Sequence, residues 1–376
     1  MIVSMKRILI TSTDMMMVQF LLPHAKNLSE NGYEVELACS EVGGRLDEVR
    51  DKAMGFAKAV HQVRLRRSPL SPTNLKGYGD MKSLLSQHHY DIIWTNEPVM
   101  GVVTRLCARK LRKHGTKVLY MAHGFHFFRG APLLNWALFY PIERIASRWC
   151  DAISTINMQD LNWAKSFYQQ KSFYTHGIGV DSSRLDNADK NRDIRAELGL
   201  KNTDVIVLSV GELNANKNHQ IIIKALDILA NPNVHYLICG KGALLDKLRA
   251  LCRKLGLTNN VHFLGYRRDV VALCSQADIF VHPSRREGLG LAPLEAMYCG
   301  LPVIASNIRG PQDFVKNGLS GYLIDKEAPH QWASAIKSLI DDSAKRKTIG
   351  EYNKSFVLPF CIDNVKKEVL QVLESL

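Results

Sequence analysis

Ser284-Arg285-Arg286-Glu287-Gly288-Leu289-Gly290-Leu291-Ala292-Pro293-Leu294-Glu295 decides how the rest of this chain is read. The apolar run before it, Asp278-Ile279-Phe280-Val281-His282-Pro283, reads as a buried strand. The residues after it, through Gly300, carry the apolar spacing of a helix. The segment is therefore strand, turn, helix. Glu287 stands before the helix and Glu295 in its early turns. Between them Gly288 and Gly290 lack side chains, so backbone N–H groups at the helix start can approach an anion closely. A carboxylate inside the helix can accept two hydrogen bonds from a vicinal diol such as a ribose. Two solvated acids on an ordinary strand-turn-helix would look the same, so the rest of the chain must discriminate.

Working outward, the same alternation recurs on both sides. In the first half, strands read at 6–11, 34–39, 91–94, 117–121, 151–154 and from 172, with helices at 18–31, 99–114 and 132–149. In the second half, strands read at 205–210, 234–239, 261–264, 279–282, 302–306 and 321–324, with helices at 217–230, 243–256 and 290–299. The polar, aperiodic segment 181–193 suits a linker. Alternating strands and helices predict an α/β fold of two doubly wound, Rossmann-like domains with a cleft between them. The boundaries read as 1–184 and 185–358, followed by an amphipathic last segment, 359–376. A length of 376 residues suits two domains of roughly 180 residues.

Composition narrows the class. With 46% apolar residues and no low-complexity tract, the chain has enough material for full cores. No apolar run approaches the roughly 18 residues of a membrane helix, and Met1-Ile2-Val3-Ser4-Met5-Lys6-Arg7 runs into a core strand without a secretory cleavage pattern. A cytoplasmic location is the expectation. The eight cysteines are scattered without a C-x-x-C pair, which suits reduced core residues rather than a zinc site. Net charge is +13, with 24 Lys/Arg against 15 Asp/Glu in residues 1–185 and 25 against 21 thereafter. A basic first half suits nucleic acid, anionic lipid, a phosphorylated substrate or simply a solvated surface. The arginines are spread along the chain without a zinc-finger, RRM or KH signature, which argues against nucleic acid.

Open parallel sheets bind ligands beyond the carboxyl ends of their strands. Four groups fall there: Gly211 with Lys217, Gly240-Lys241-Gly242, Glu287, and His123-Gly124. Lys217, at a helix start, can hold a diphosphate and stabilise it as it departs; a solvated lysine would occupy the same place. His123 opens His123-Gly124-Phe125-His126-Phe127-Phe128-Arg129-Gly130, where aromatic residues could stack on sugar faces and His or Arg could meet hydroxyls or phosphates. A hydrogen-bonded structural histidine is the alternative. On the 99–114 helix, Arg105, Arg109, Arg112 and Lys113 lie mainly away from the apolar side and, with Arg64, Arg66 and Arg67, offer either a basic face for anionic lipid or a solvated one.

Over nearly its whole length the sequence resembles the family-4 retaining glycosyltransferases of bacterial exopolysaccharide, capsule and lipid-linked oligosaccharide assembly. Their E-x7-E signature is Glu287 through Glu295, and the His-Gly-Phe-His-Phe-Phe version of their histidine motif begins at His123. Gly265-Tyr266-Arg267-Arg268-Asp269-Val270 and Asn307-Ile308-Arg309-Gly310-Pro311 match further segments. The resemblance implies a GT-B fold, with the chain end crossing back onto the first domain, and transfer of a hexose or N-acetylhexosamine from a UDP-sugar to a polyprenyl-diphosphate-linked glycan. It implies His123 near the transferred sugar, Glu287 at the sugar hydroxyls and Glu295 at the ribose. Donor contacts would come from Gly211, Lys217, Gly240, Tyr266, Gly288, Leu289, Gly290 and Leu291. His126, Arg129, Arg105, Arg109 and Arg112 would face the acceptor or an anionic membrane surface at the inner face of the cell membrane. No D-x-D motif is present, so no metal or other cofactor is expected. Three departures weaken the match: Glu212 where Arg is usual, Asp313 where Glu is commoner, and Ser12-Thr13-Asp14-Met15-Met16-Met17 where many members have a Gly-Gly loop. A UDP-sugar epimerase of the same architecture and a non-catalytic sugar-nucleotide-binding subunit are the rival readings. UDP released only when acceptor is present argues for transfer; interconversion without acceptor argues for epimerisation.

Overall fold

In a computed structural model, residues 5–41 and 46–376 are described. The chain divides into two compact units, residues 1–179 with 362–376, and residues 180–361. These boundaries lie a few residues from the sequence expectation at each end.

The first unit is built on β1 (Lys6–Asp14), β2 (Tyr33–Ser40), β3 (Ala59–Gln62), β4 (Ile92–Asn96), β5 (Lys117–Ala122), β6 (Ala152–Thr155) and β7 (Lys171–Tyr174), in the spatial order 3-2-1-4-5-6-7. All neighbours are parallel, which requires helical crossovers and buries both faces. Successive residues of one strand enter opposite cores. Ile8, Ile10, Ile92 and Trp94 join one cluster, while Leu9, Ile93, Val118 and Tyr120 join the other. The last helix, Ile362–Glu374, adds Val365, Val369, Val372 and Leu373 to the first of these clusters.

The second unit carries β8 (Val205–Val210), β9 (Val234–Cys239), β10 (Val261–Gly265), β11 (Ile279–His282), β12 (Val303–Ser306) and β13 (Gly321–Ile324), in the order 10-9-8-11-12-13 and again parallel. In both sheets the strand order reverses once, between β1 and β4 and between β8 and β11. Such a switch point opens a crevice beyond the strand ends, where ligands bind.

Several local expectations change. The 12–17 stretch is not a loop: β1 runs to Asp14, whose carboxylate accepts from the Met17 N–H and starts the Met15–Glu30 helix directly. Met15 is in the core. The 181–193 linker contains a short helix, Ser182–Asp186, belonging to the second unit. Helices Thr73–Gln87, Pro329–Ile340 and Ser343–Phe356 went unread. All eight cysteines are free thiols, six of them buried.

Candidate active site

The site of the second unit is assembled from the loops after β8 and β11, the two strands flanking its switch point. Backbone and amide bonds hold these loops together: the Arg285 N–H donates to the Asn216 carbonyl at 2.7 Å, and Asn216 Nδ2 to the Arg286 carbonyl at 3.0 Å. The Lys217 N–H bonds to Asn214 Oδ1 at 2.9 Å. Thus fixed, the Lys217 ammonium lies 2.5 Å from Glu287 Oε1, and His282 Nε2 lies 3.2 Å from the same oxygen. The buried Arg309 donates from Nε to the Glu287 carbonyl at 3.1 Å. Burial alone would push the Glu287 carboxyl up, but His282 and Lys217 outweigh it and hold the group well below the usual carboxylate range. Glu287 is therefore an anion throughout the neutral range, able to accept hydrogen bonds but not to donate a proton.

The glycines are close-approach positions. Gly290, with φ +101°, caps the Leu291–Tyr298 helix, and a Cβ there would press on His282 Nε2 at 3.3 Å. A Cβ on Gly240 would fall 1.9 Å from the Gly211 carbonyl oxygen, so Gly240 lets the ends of β8 and β9 converge. Leu289 is buried, Leu291 opens the helix, and Tyr266 is mostly exposed just beyond β10. Glu295 does not stand free: its Oε1 pairs with Arg184 Nη2. Burial raises its pKa, opposed by Arg184 and assisted by Asp181.

In the first unit, His123 follows β5 and its Nε2 is 2.9 Å from Asn96 Oδ1 at the end of β4. The ring keeps an accessible edge but sits among protein atoms, and burial lowers its pKa to about 4, so it is neutral near pH 7. Phe125 and Phe127 are not sugar-stacking platforms. They are stacked on each other at 4.8 Å inside the core, because alternate residues after the strand continue inward. His126 packs on Phe139 at 4.7 Å, whereas Arg129 is exposed.

The expected basic face of the 99–114 segment is corrected at two of three arginines. The helix Pro98–Ala108 turns Arg105 inward, fully buried, with Nη2 2.7 Å from Glu143 and its guanidinium 3.9 Å over the Tyr120 ring. Arg112 is committed to Asp151 by two bonds of 2.8 and 3.0 Å. Arg109 is exposed. Arg64 and Arg67 are paired with Asp80 and Asp14.

Residues 17–172 match the model of Glycosyltransferase Family 4, and residues 190–356 that of Glycosyl transferases group 1. EpsD of Bacillus subtilis (strain 168), described as a glycosyltransferase, is 34% identical over 98% of this chain and 96% of its own. The chain belongs to the family-4 glycosyltransferases. A second relative of this glycosyltransferase is the Escherichia coli UDP-Gal:alpha-D-GlcNAc-diphosphoundecaprenol alpha-1,3-galactosyltransferase, 28% identical over 84% of this chain and 82% of its own. The structure of Anabaena Alr3699/HepE in complex with UDP superimposes with a TM-score of 0.80 at 20% identity, covering 99% of this chain and all of the other. The fold is accordingly of the GT-B type, and the chain is a transferase.

Sequence reasoning passed over four residues that the glycosyltransferase places against these groups: His282, Arg309, Asn96 and Arg184. His282 had a signal, a lone histidine closing an apolar strand directly before the turn. Arg184 had none, because it lies 111 positions from its partner. Glu212, the departure from the family pattern, is exposed.

Proposed function

We propose that this glycosyltransferase moves a hexose or N-acetylhexosamine from a UDP-sugar to a polyprenyl-diphosphate-linked glycan, retaining the anomeric configuration. The observation that carries the reading is the Lys217–Glu287 pair at the β8/β11 switch point, directly before the glycine-opened start of the Leu291–Tyr298 helix. A cation and a helix N-terminus beside a permanent carboxylate suit a ligand whose diphosphate and sugar lie next to each other. The name of the E. coli relative, which joins a UDP-sugar to a diphosphoundecaprenol-linked sugar, supports both substrate classes.

In this reading the acceptor hydroxyl attacks the anomeric carbon from the face on which the diphosphate leaves. The sugar–phosphate C–O bond breaks, and the hydroxyl proton passes to a departing phosphate oxygen. Lys217 and the helix start stabilise the leaving diphosphate, each such contact being worth on the order of 3 kcal/mol in the transition state. Glu287, ionised, accepts bonds from sugar hydroxyls and opposes the positive charge that develops at the anomeric carbon. Neutral His123 hydrogen-bonds the transferred sugar. Glu295 takes the ribose diol once Arg184 yields it. No metal takes part: turnover persists in EDTA, and loss of activity restored only by a divalent ion would contradict this. The protein works at the inner face of the cell membrane as a peripheral enzyme. The test is to incubate it with a panel of UDP-sugars and a short polyprenyl-diphosphate-sugar. Consumption of one donor only when acceptor is present, with an α-linked product by NMR from an α-linked donor, is expected. Donor interconversion without acceptor, or no consumption of any donor, would sink the proposal.

A further inference from the structure

The Leu133–Ala146 helix of the first unit is apolar on both sides. Its inner side sends Trp136, Phe139 and Tyr140 against the core. Its outer side carries an aliphatic stripe in the open: Leu133 is 85% exposed, Leu134 66%, Leu138 50%, Ile142 46% and Ile145 49%. The spacing 134, 138, 142, 145 follows one helical face. A helix apolar all round belongs in an interior, and scattered exposed leucines would need no explanation, but a continuous stripe marks a surface with a partner.

Charge identifies the partner. Between residues 98 and 180 the carboxylates are Glu143, Asp151 and Asp160, and all three are buried. Glu143 is neutralised by Arg105 and Asp151 by Arg112. Over the same span Arg109, Lys110, Lys113, Arg129, Arg144, Arg148 and Lys165 are exposed. Arg144, in the last turn of the helix, and Arg148, just beyond it, lie over the half-exposed Tyr168 ring at 5.1 and 4.1 Å. The exposed charge of the segment is thus of one sign. Aliphatic residues with a cationic margin match the boundary between acyl chains and anionic headgroups. A second copy of this chain fits poorly, since it would bring the same cations face to face, and nucleic acid would leave the aliphatic stripe without apolar cover.

We propose that the Leu133–Ala146 helix is the membrane-docking element, lying in the plane of an anionic bilayer surface with its aliphatic stripe among the acyl chains. This deepens the proposed function, on whose lipid-linked acceptor it rests, and it moves the contact from the 99–114 segment to the next helix.

The experiment is co-flotation of the full-length protein with vesicles of phosphatidylcholine containing about one third phosphatidylglycerol, beside pure phosphatidylcholine vesicles. Wild type is expected to float with the anionic vesicles, and added salt should weaken binding without abolishing it, because the stripe is apolar. The variant Leu134→Ser/Leu138→Ser/Ile142→Ser changes only exposed positions and should lower the partition coefficient at least about tenfold while keeping the wild-type melting temperature. Arg144→Gln/Arg148→Gln should weaken anionic binding several-fold. Unchanged binding of the triple-serine variant, with loss on Arg109→Gln/Lys110→Gln/Lys113→Gln, would overturn the assignment of the helix while leaving a membrane-bound acceptor in place. Dimerisation of wild type that the triple-serine variant abolishes, without flotation, would make the stripe a contact between copies; a gel shift at physiological salt without flotation would make the face a nucleic-acid one. Either result overturns the proposal. Failure of wild type to float overturns the docking proposal alone if the detergent-solubilised acceptor is still glycosylated, and the substrate reading with it if it is not.

Discussion

At Glu287 two influences oppose each other. Burial disfavours the anion, whereas His282 and Lys217, both within 3.2 Å of Oε1, favour it and prevail. Removing one partner must therefore move the carboxyl upward. In His282→Phe the Glu287 carboxyl is predicted to titrate at higher pH than in wild type, so that any acid limb of the kcat profile that it governs moves upward. An unmoved limb would mean that Glu287 does not govern it. The E-x7-E spacing made both acids legible, and their position after an apolar strand made the turn legible. Their partners were not, because pairing of Glu287 with Lys217 or Glu295 with Arg184 depends on which strands become neighbours, and no local pattern encodes that.

Among the elements, apolar alternation located nearly every strand, and a fully parallel order followed from the helices between them. Short or polar pieces escaped: β3 is four residues of mixed polarity, and Ser343–Phe356 buries few apolar side chains. The direction of helical side chains was the other blind spot. Arg105 sat on the nominally polar side of its helix yet is sealed against Glu143 and Tyr120. Arg105→Ala leaves Glu143 buried without its cation, with the Tyr120 hydroxyl bond remaining, and is predicted to cost roughly 3–5 kcal/mol by denaturant unfolding. It should leave vesicle binding of the folded fraction unchanged. Gly240 makes a second test at this scale. Gly240→Ala, which drives a Cβ into the Gly211 carbonyl, is predicted to cost on the order of 3 kcal/mol. Gly256→Ala, at φ +70° with open space around it, should cost only about 1 kcal/mol. Equal melting temperatures for the two variants would contradict the close approach of β8 and β9.

For the whole molecule, pH stability follows from histidines held neutral. His24 and His219 are almost fully buried, and burial lowers each to about 4. The unfolded chain binds these protons near pH 6.5, so it takes up more protons than the native state as pH falls. Their contribution is complete above pH 6.5 and is lost between about 6.5 and 4, on the order of 3 kcal/mol for each. Glu36, which Tyr90, His61 and Arg7 hold down to about 2 against the effect of burial, withdraws its share only below about pH 4.5. The melting temperature should therefore decline in two stages on acidification, and a flat profile from pH 7 to 4 would contradict the burial of these rings. Two parallel sheets, each with one switch point, were legible from the order of elements alone, whereas the outward aliphatic stripe was not, since the 132–149 stretch is apolar on both sides of the helix and its sequence does not say which side faces out. The measurement closest to the central claim is acceptor-dependent UDP release by wild type, Lys217→Ala and Glu287→Gln, each verified as folded by its melting transition. Transfer at this centre predicts kcat lower by about 10²–10³ in both variants. Wild-type turnover in either would place the chemistry elsewhere.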